Sequence, residues 1–421
     1  MTMWRTYRLA GTAILGLCMV GNALSQGRAQ GLEAVSVALI SEDPAAALSE
    51  VGEPFLASAL DLIDRGHLVQ NGASGTPLTS AQVDLLVDHL LNGPAGRATA
   101  LIRSTHSTDL SDMAAGARMQ LFGELGRAQD IEALMALLPE SATTRLTTTM
   151  ERALGALFDR DPLTFARARG LGGNAPLAER VLIRALSATG DVRALQALTP
   201  LLIGNSQNLD AALLAVAELA RSGVPTDWSI ADSARGHLTT PDINVMCAAA
   251  SLAGAVLDGD SIPELIVLLG HEALDVRRAS RRSLQEISGL RHGHDAARWR
   301  SWYEVETHWM NSEWPSLKLA LDSGDVPKTL GALGVVAAHR LDRRKLVTSV
   351  EPLLFAFDER IRNHAARSLG ELGVRSAIPS LISALEDPPI QSVALAALVR
   401  LTGRRLPPDP QAWRDALGLT P

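Results

Sequence analysis

Hydrophobic residues recur at helical spacing along most of this chain, most regularly near its C-terminus. One predicted helix carries apolar residues at spacings of four, four and three, which place them on a single face: Ile361, Ala365, Leu369 and Leu372. Gly373 follows directly and is predicted to end that helix. A second predicted helix begins near Ala377 and stops before the sequence EDPP, because proline cannot continue a helix. The pattern therefore predicts a helix, a short turn and a second helix.

This helix pair recurs upstream. The stretch DVRRASRRSL, residues 275–284, aligns without gaps with RIRNHAARSL, residues 360–369. Fainter copies of the pattern lie at residues 117–141, 184–202 and 214–223. Repetition of a unit that cannot bury its apolar face alone predicts a stacked array of helix pairs.

The repeated stretches resemble HEAT repeats of the armadillo-like α-solenoid class. The resemblance implies an all-α fold, a right-handed α-solenoid of antiparallel helix pairs. From the sequence we expect four segments: an N-terminal signal segment at 1–25, a divergent helical-repeat array at 26–220, an irregular joint at 221–244, and a HEAT-repeat array at 245–421.

A second pattern consists of a glycine, an aspartate six positions later, and a Trp-Arg pair four positions beyond the aspartate. It occurs twice, 114 residues apart: Gly289, Asp295, Trp299 and Arg300, then Gly403, Asp409, Trp413 and Arg414. We expect each glycine to end a helix, each aspartate to cap the next helix, and each tryptophan to face the core one turn later.

Composition agrees with a helical array, and the net charge and the missing motifs argue against several classes of function. Hydrophobic residues make up 47% of the chain and aromatic residues only 4%, which favours cores of Ala, Leu, Val and Ile. The formal net charge of -7 predicts no nucleic-acid partner. The sequence lacks the nucleophile, phosphate-binding, dinucleotide-binding and zinc-protease motifs, so we expect no enzymatic activity and no cofactor.

The N-terminal sequence is typical of an export signal. Arg5 and Arg8 precede an apolar run at residues 9–24, and Ala23 and Ser25 are small residues suited to cleavage. We therefore expect an exported protein, periplasmic or extracellular. The alternative is an uncleaved signal that anchors the chain, which is the only membrane contact that we expect.

The sequence HGHD places His292 and His294 in one loop beside Asp295, and these side chains could begin a transition-metal site. The second copy of the repeated pattern has Leu406 and Pro408 in their places. Because the fold does not require the histidines, a solvent-exposed loop is the simpler interpretation.

Two further groups of residues are candidates for partner binding. Arg278 and Arg281 belong to an arginine-rich helix face, which could bind an anionic partner or could simply be solvated. Trp302, Tyr303 and Trp309 belong to an aromatic cluster at 299–314, which could stack on a sugar, bind a peptide, or enlarge the core locally.

These observations favour a non-enzymatic scaffold that binds a protein or peptide of the cell envelope on a solenoid surface. Two alternatives stay open at this point. One is a metal-binding accessory protein or enzyme centred on His292 and His294, and the other is a carbohydrate-binding module that uses the 299–314 aromatics.

Overall fold

A computed structural model describes residues 28–51, 55–70, 73–93, 102, 110–169, 171, 175–203 and 206–419. The chain divides into two compact units, at residues 1–167 and 168–421. The predicted signal segment at 1–25 lies outside the described residues.

The regular secondary structure in the described part of the first unit is helical apart from one short antiparallel hairpin. Its described helices are α1 28–39, α2 Pro44–Val51, α3 Leu56–Arg65, α4 Ser80–Asn92, α5 Asp112–Leu125, α6 Ile131–Met135, α7 Thr144–Arg160 and α8 Leu163–Ala168. The hairpin pairs strands β1 His67–Gln70 and β2 Ala73–Pro77. The all-α prediction did not include this hairpin, although the Asn71-Gly72 pair in the sequence is a known hairpin signal.

All regular secondary structure in the described part of the second unit is helical. The α-helices are α9 Pro176–Ala188, α10 Val192–Ile203, α11 Leu209–Arg221, α12 Trp228–Gly236, α13 Ile243–Ala255, α14 Ile262–Leu268, α15 Leu274–Ser288, α16 Ala296–Ser312, α17 Trp314–Leu321, α18 Val326–Val336, α19 Arg343–Val350, α20 Glu359–Leu372, α21 Ile378–Ser383, α22 Gln391–Thr402 and α23 Pro410–Leu417. Short 3-10 helices occur at Gly259–Ser261, Glu351–Phe355, Arg375–Ala377 and Ala384–Glu386.

The first helices of successive pairs pack side by side in rows. In the first unit α4 packs on α5 and α5 on α7. The second unit has two such rows, α9–α11–α13–α15 and α18–α20–α22. Small residues allow close crossing: a Cβ added at Gly254 would lie 2.8 Å from the Cα of Ser283 on the next helix. The predicted α-solenoid of HEAT-like helix pairs is confirmed.

The repeated Gly-Asp-Trp pattern forms the predicted helix boundaries. Gly289 and Gly403 end their helices in the left-handed conformation, with φ of 78° and 71°. Asp295 and Asp409 accept hydrogen bonds from backbone N–H groups of the next helix. Trp299 and Trp413 lie one turn later and are 0% exposed.

The two rows of the second unit lie against each other in opposite directions. The Arg404 guanidinium donates to the carbonyl of Gly190 at 3.1 Å, and the Arg375 guanidinium donates to that of Ala255 at 3.3 Å. Arg343 donates to the carbonyl of Ile287. The acceptors therefore follow the order 190, 255, 287 along the first row, while their donors follow the order 404, 375, 343 along the second row. The two rows are antiparallel. We call this contact, made by Arg343, Arg375 and Arg404, the arginine seam.

The arginine seam joins the C-terminal ends of helices. Arg343 donates at 2.8 Å to the carbonyl of Leu372, the last residue of α20, and reaches Ile287 near the end of α15. These carbonyls lack a partner within their own helices and carry the negative end of the helix dipole, which a guanidinium stabilises. Burial lowers the pKa of Arg343 to about 9, so the side chain remains charged at neutral pH.

The predicted irregular joint at 221–244 contains a helix, α12 Trp228–Gly236. Helix α11, which ends at Arg221, packs closely on α13, which begins at Ile243. The division into compact units falls elsewhere, between Arg167 and Ala168. Residues 221–244 lie within the second unit, and their role as a joint between two repeat arrays stays a prediction.

Candidate functional site

The arginine-rich face of α15 divides into structural and solvated side chains. Arg277 donates to the carbonyls of His271 and Glu272, both at 2.7 Å, in the loop before its own helix. Arg278 is exposed and lies 3.6 Å from the carboxylate of Asp275. Arg281 is half-buried, and its Nε has no hydrogen-bond partner within the described residues. Arg278 and Arg281 therefore remain available candidates for partner binding.

The aromatic cluster is largely engaged in packing. The Trp309 ring stacks on the His339 ring, with centroids 3.4 Å apart and an interplanar angle of 10°. Trp302 is half-buried and meets Trp299 edge to face at 6.0 Å. Tyr303 is half-buried as well. Trp302, Tyr303 and Trp309 lie on the long helix α16, and Trp309 packs against the buried core.

The polar residues beside the aromatics also have structural contacts. Glu306 accepts a hydrogen bond from the backbone N–H of Arg340 at 3.2 Å, and its other carboxylate oxygen lies 3.4 Å from His339 Nδ1. A sugar site would need such groups to face solvent together with the rings. Here they join α16 to the turn that precedes α19.

The two histidines of the HGHD loop have different surroundings in the structure. The His292 ring packs edge-on against Trp299 at 4.8 Å, while His294 is exposed. The Asp295 carboxylate accepts hydrogen bonds from the N–H groups of Ala297 and Arg298. In the described part of the chain, no three His, Cys, Asp or Glu side chains are gathered so that they could hold a metal ion.

Around Arg343, two non-glycine residues have a positive φ, and one carboxylate is buried. Leu257 and Asp342, on opposite rows, have φ of 59° and 51°, in the region that favours glycine. Asp258 is 4% exposed, and its carboxylate lies 3.0 Å from the Arg235 Nε. Burial raises the pKa of Asp258. The positive φ angles and the buried carboxylate lie where the two rows meet. We therefore interpret them as part of the packing between the rows.

A concave surface in the first unit has a volume of about 860 Å³. Its floor is the outward face of α5, and its walls are α4 and α7. We call it the α5 groove. Residues of α5 that line the floor are Met113, Gly116, Ala117, Gln120, Gly123 and Glu124. Three of these six residues, Gly116, Ala117 and Gly123, have a small side chain or none.

The α5 groove has charged groups of both signs. Asp84 of α4, together with Asp112 and Glu124 of α5, provides three carboxylates, while Arg145 and Arg152 of α7 provide two guanidinium groups. Between them lie the apolar side chains of Val83 and Val87 on α4, Met113 on α5 and Leu146 on α7. The surface can therefore bind a chain segment that has both an apolar face and charged flanks.

Sequence analysis missed the α5 groove. The stretch that forms its floor, DMAAGARMQLFGEL, is recognisable as a helix, but a groove depends on the difference in side-chain size between neighbouring helices. The signal that could have indicated it is the series of small residues at helical spacing, Gly116, Ala117 and Gly123.

Within the described residues, none of the helices has both the length and the apolar character needed to cross a lipid bilayer.

No protein-family model matches the chain, and no curated protein matches it. Among solved structures, yeast importin-beta (Kap95p) is 9% identical with a TM-score of 0.37, over 92% of this chain and 57% of that one. Kap121p is 13% identical with a TM-score of 0.36, over 87% and 43%. Human deoxyhypusine hydroxylase is 15% identical with a TM-score of 0.26, over 66% and 97%.

The chain spans about half the length of the first two of these proteins. The stacked helix pairs show an α-solenoid of HEAT-like repeats that is helical apart from the β1–β2 hairpin in its described residues.

Proposed function

We propose that the protein is a non-enzymatic scaffold that binds a protein or peptide partner, and that the α5 groove is a binding surface. The observation that carries this proposal is the groove itself, a concavity of about 860 Å³ along three neighbouring helices that is lined by apolar side chains and by charged groups of both signs. A stacked array exposes such surfaces while its core is buried elsewhere, so their side chains can suit a partner without loss of the fold.

We place the scaffold in the cell envelope, on the basis of the export-like sequence at 1–25. A fusion of residues 1–25 to a reporter that is active only outside the cytoplasm tests this setting. Activity from the fusion, and none from a version with Arg5 and Arg8 replaced by glutamate, is the expected result. An inactive reporter would remove the cell-envelope part of the proposal.

Selection of displayed random peptides on residues 26–421 tests the binding function. We expect enriched peptides that bind the wild-type chain and bind an Asp84→Lys, Glu124→Lys variant more weakly. The matched control is Asp88→Lys, Asp159→Lys, which makes the same charge change at two exposed carboxylates outside the groove. The control should bind the selected peptides as the wild type does.

A third variant, Arg281→Glu with Trp302→Ala, tests the surface near α15 and α16. Peptides that lose binding to this variant but keep binding to the groove variant would move the site to Arg278, Arg281, Trp302, Tyr303 and Trp309. Failure to enrich any peptide that depends on either surface would contradict the proposed function.

A further inference from the structure

We propose that a cavity at the C-terminal end of α15 binds a phosphate group carried by a small organic molecule. The cavity has a volume of about 330 Å³ and is lined by Arg282, Gln285, Glu286, Gly289, Leu290 and Arg291. We call it the α15 cavity. It belongs to the second unit, whereas the α5 groove belongs to the first, so this inference goes beyond the proposed function and does not depend on it.

The residues that line the α15 cavity come from one side of the helix end and from the chain that follows it. The first four are spaced by three, one and three positions, which places them on one face of an α-helix. Gly289 ends the helix with φ of 78°, and Leu290 and Arg291 complete the lining. A Cβ added at Gly289 would meet no atom within 4 Å, so the space beside the helix end is open.

The polar side chains of the α15 cavity are available to a ligand. No hydrogen bond or ion pair joins the side chain of Arg282 or Arg291 to another residue that the structure describes. The Gln285 carboxamide is half-buried, and it too has no hydrogen-bond partner in the described part of the chain. Other exposed arginines of this unit are paired, such as Arg360, which lies 2.8 Å from the carboxylate of Asp358.

The charge around the α15 cavity is positive. Its one lining carboxylate, Glu286, is paired with Arg221 at 3.0 Å. The Arg375 guanidinium donates to the carbonyl of Arg221 at 3.4 Å. Burial lowers the pKa of Arg375, while the Glu286 carboxylate raises it. With Arg282 and Arg291, four guanidinium groups and one carboxylate leave three positive charges, which attract an anion.

The end of α15 opposes an anion less than an unpaired helix end would. The last carbonyl groups of a helix carry the negative end of its dipole when they have no partners. Here the carbonyl of Gln285 accepts a hydrogen bond from the Gly289 N–H at 2.8 Å, and the carbonyl of Ile287 accepts one from Arg343. The charge of Arg343 thus offsets part of the helix dipole beside the cavity.

The second copy of the Gly-Asp-Trp pattern shows that the fold does not require these polar groups. Arg282 and Gln285 correspond, 114 residues later, to Ala396 and Val399. Both copies nevertheless end their helix in the left-handed conformation and bury the tryptophan that follows. The arginine and the glutamine are therefore additions to the repeat, and binding gives them a role that helix termination does not.

Phosphate fits the α15 cavity better than a carboxylate does. Guanidinium groups bind phosphate oxygens through pairs of N–H donors. A phosphate monoester carries a charge of about −1.5 to −2 at pH 7 and can pair with both free arginines, whereas a carboxylate has a single charge. The volume lies at the lower end of the range for small-molecule pockets, about 300–1,000 Å³. It leaves room for an organic group against Leu290.

Isothermal titration calorimetry on the purified chain tests this inference with three probes at equal ionic strength: phenyl phosphate, inorganic phosphate and benzoate. We expect phenyl phosphate to bind about tenfold more tightly than benzoate, because its charge is larger. Inorganic phosphate should bind more weakly than phenyl phosphate, because it lacks the group that contacts Leu290. This comparison distinguishes an organic phosphate from the free ion.

Arg282→Gln with Arg291→Gln should weaken the binding of phenyl phosphate by about tenfold or more. The matched control is Arg367→Gln, Arg405→Gln, which makes the same charge change at two exposed arginines outside the cavity. The control should keep the affinity of the wild type. Urea denaturation without phosphate should give the same midpoint for both double variants, which shows that neither change disturbs the fold.

Four results would count against the α15 cavity as an organic-phosphate site. Absence of binding by phenyl phosphate would overturn the inference, and so would equal affinities for phenyl phosphate and benzoate. Equal losses in the two double variants would show a general effect of net charge instead of a site. Inorganic phosphate that binds as tightly as phenyl phosphate would make the free ion the ligand. None of these results bears on peptide binding by the α5 groove.

Discussion

At the scale of single residues, the repeated tryptophans show a stabilising contact that is almost entirely local. The indole Nε1 of Trp299 donates to the carbonyl of Gly293 at 3.1 Å, and that of Trp413 donates to the carbonyl of Pro407 at 2.9 Å. Each acceptor lies six residues before its donor. The ring therefore fills the core and at the same time holds the loop that leads into its own helix.

Replacement of Trp413 by alanine should lower the free energy of unfolding by about 3–5 kcal/mol, because it leaves a cavity and an unpaired carbonyl. Urea denaturation of the purified chain measures this change. Trp302→Ala is the comparison, since Trp302 is only half-buried and makes no indole hydrogen bond to a described residue. Equal losses for the two variants would contradict the core position of Trp413.

Asp358 provides a pH-dependent contribution at the start of α20. Hydrogen bonds from the Arg360 side chain, one of them 2.8 Å long, lower the pKa of Asp358 to about 2. The folded state therefore holds fewer protons than the unfolded state between about pH 4 and 2, and the stabilisation is lost as the pH falls through this range. Asp358→Asn keeps the capping oxygen but has no charge.

We expect the stability difference between wild type and Asp358→Asn to be greatest above pH 5 and to decline towards pH 2. Urea titrations at several pH values measure it. Asp409→Asn is a suitable comparison, because Asp409 also caps a helix. A difference for Asp358→Asn that does not change with pH would contradict the role of its charge.

At the scale of helices, two exposed glycines should respond to the same substitution in opposite directions. Gly289 ends α15 with φ of 78° and has open space around its Cα, so Gly289→Ala should cost about 1–2 kcal/mol through backbone strain alone. Gly331 also has open space but lies inside α18, where alanine should add about 0.5–1 kcal/mol of stability. Thermal unfolding of both variants measures these effects. Shifts of the same sign would show that neither glycine is governed by its backbone conformation.

Local signals explain why so many helix boundaries could be predicted from the sequence. Gly289, Asp295 and Pro410 act within a few residues of their own positions, and their effect does not depend on the rest of the chain. The α5 groove could not be predicted in this way. It lies along α4, α5 and α7, and it depends on how these three helices pack side by side, which no local sequence signal specifies.

At the scale of the whole second unit, the arginine seam links repeats that are far apart in the sequence, which an open repeat array does not do. An open array has contacts only between neighbouring repeats, and its parts can unfold separately. Here Arg404 reaches a carbonyl 214 residues away, and Arg375 reaches one 120 residues away. The sequence contains these arginines but does not indicate their partners. The sequence separation between each arginine and its acceptor carbonyl depends on how the two rows pack against each other. We therefore expect the described helices of this unit to unfold together.

Arg343 offers the sharpest test of that coupling, because it contacts the ends of helices on both rows. Arg343→Met should lower the free energy of unfolding by about 2–4 kcal/mol, since the carbonyls of Ile287 and Leu372 lose their buried donor. Arg344→Met is the matched control: Arg344 is exposed, and its guanidinium lies 5.9 Å from the centre of the Trp228 ring. A change below about 1 kcal/mol is expected there.

Hydrogen exchange separates coupling from a local defect. If the arginine seam joins the rows, Arg343→Met should reduce amide protection in α11 and in α22 by similar factors, although neither helix contacts residue 343 through its hydrogen bonds. Loss of protection restricted to the ends of α15 and α20 would show that the two rows unfold independently. In that case the seam would satisfy helix ends without joining the first and last repeats into one cooperative structure.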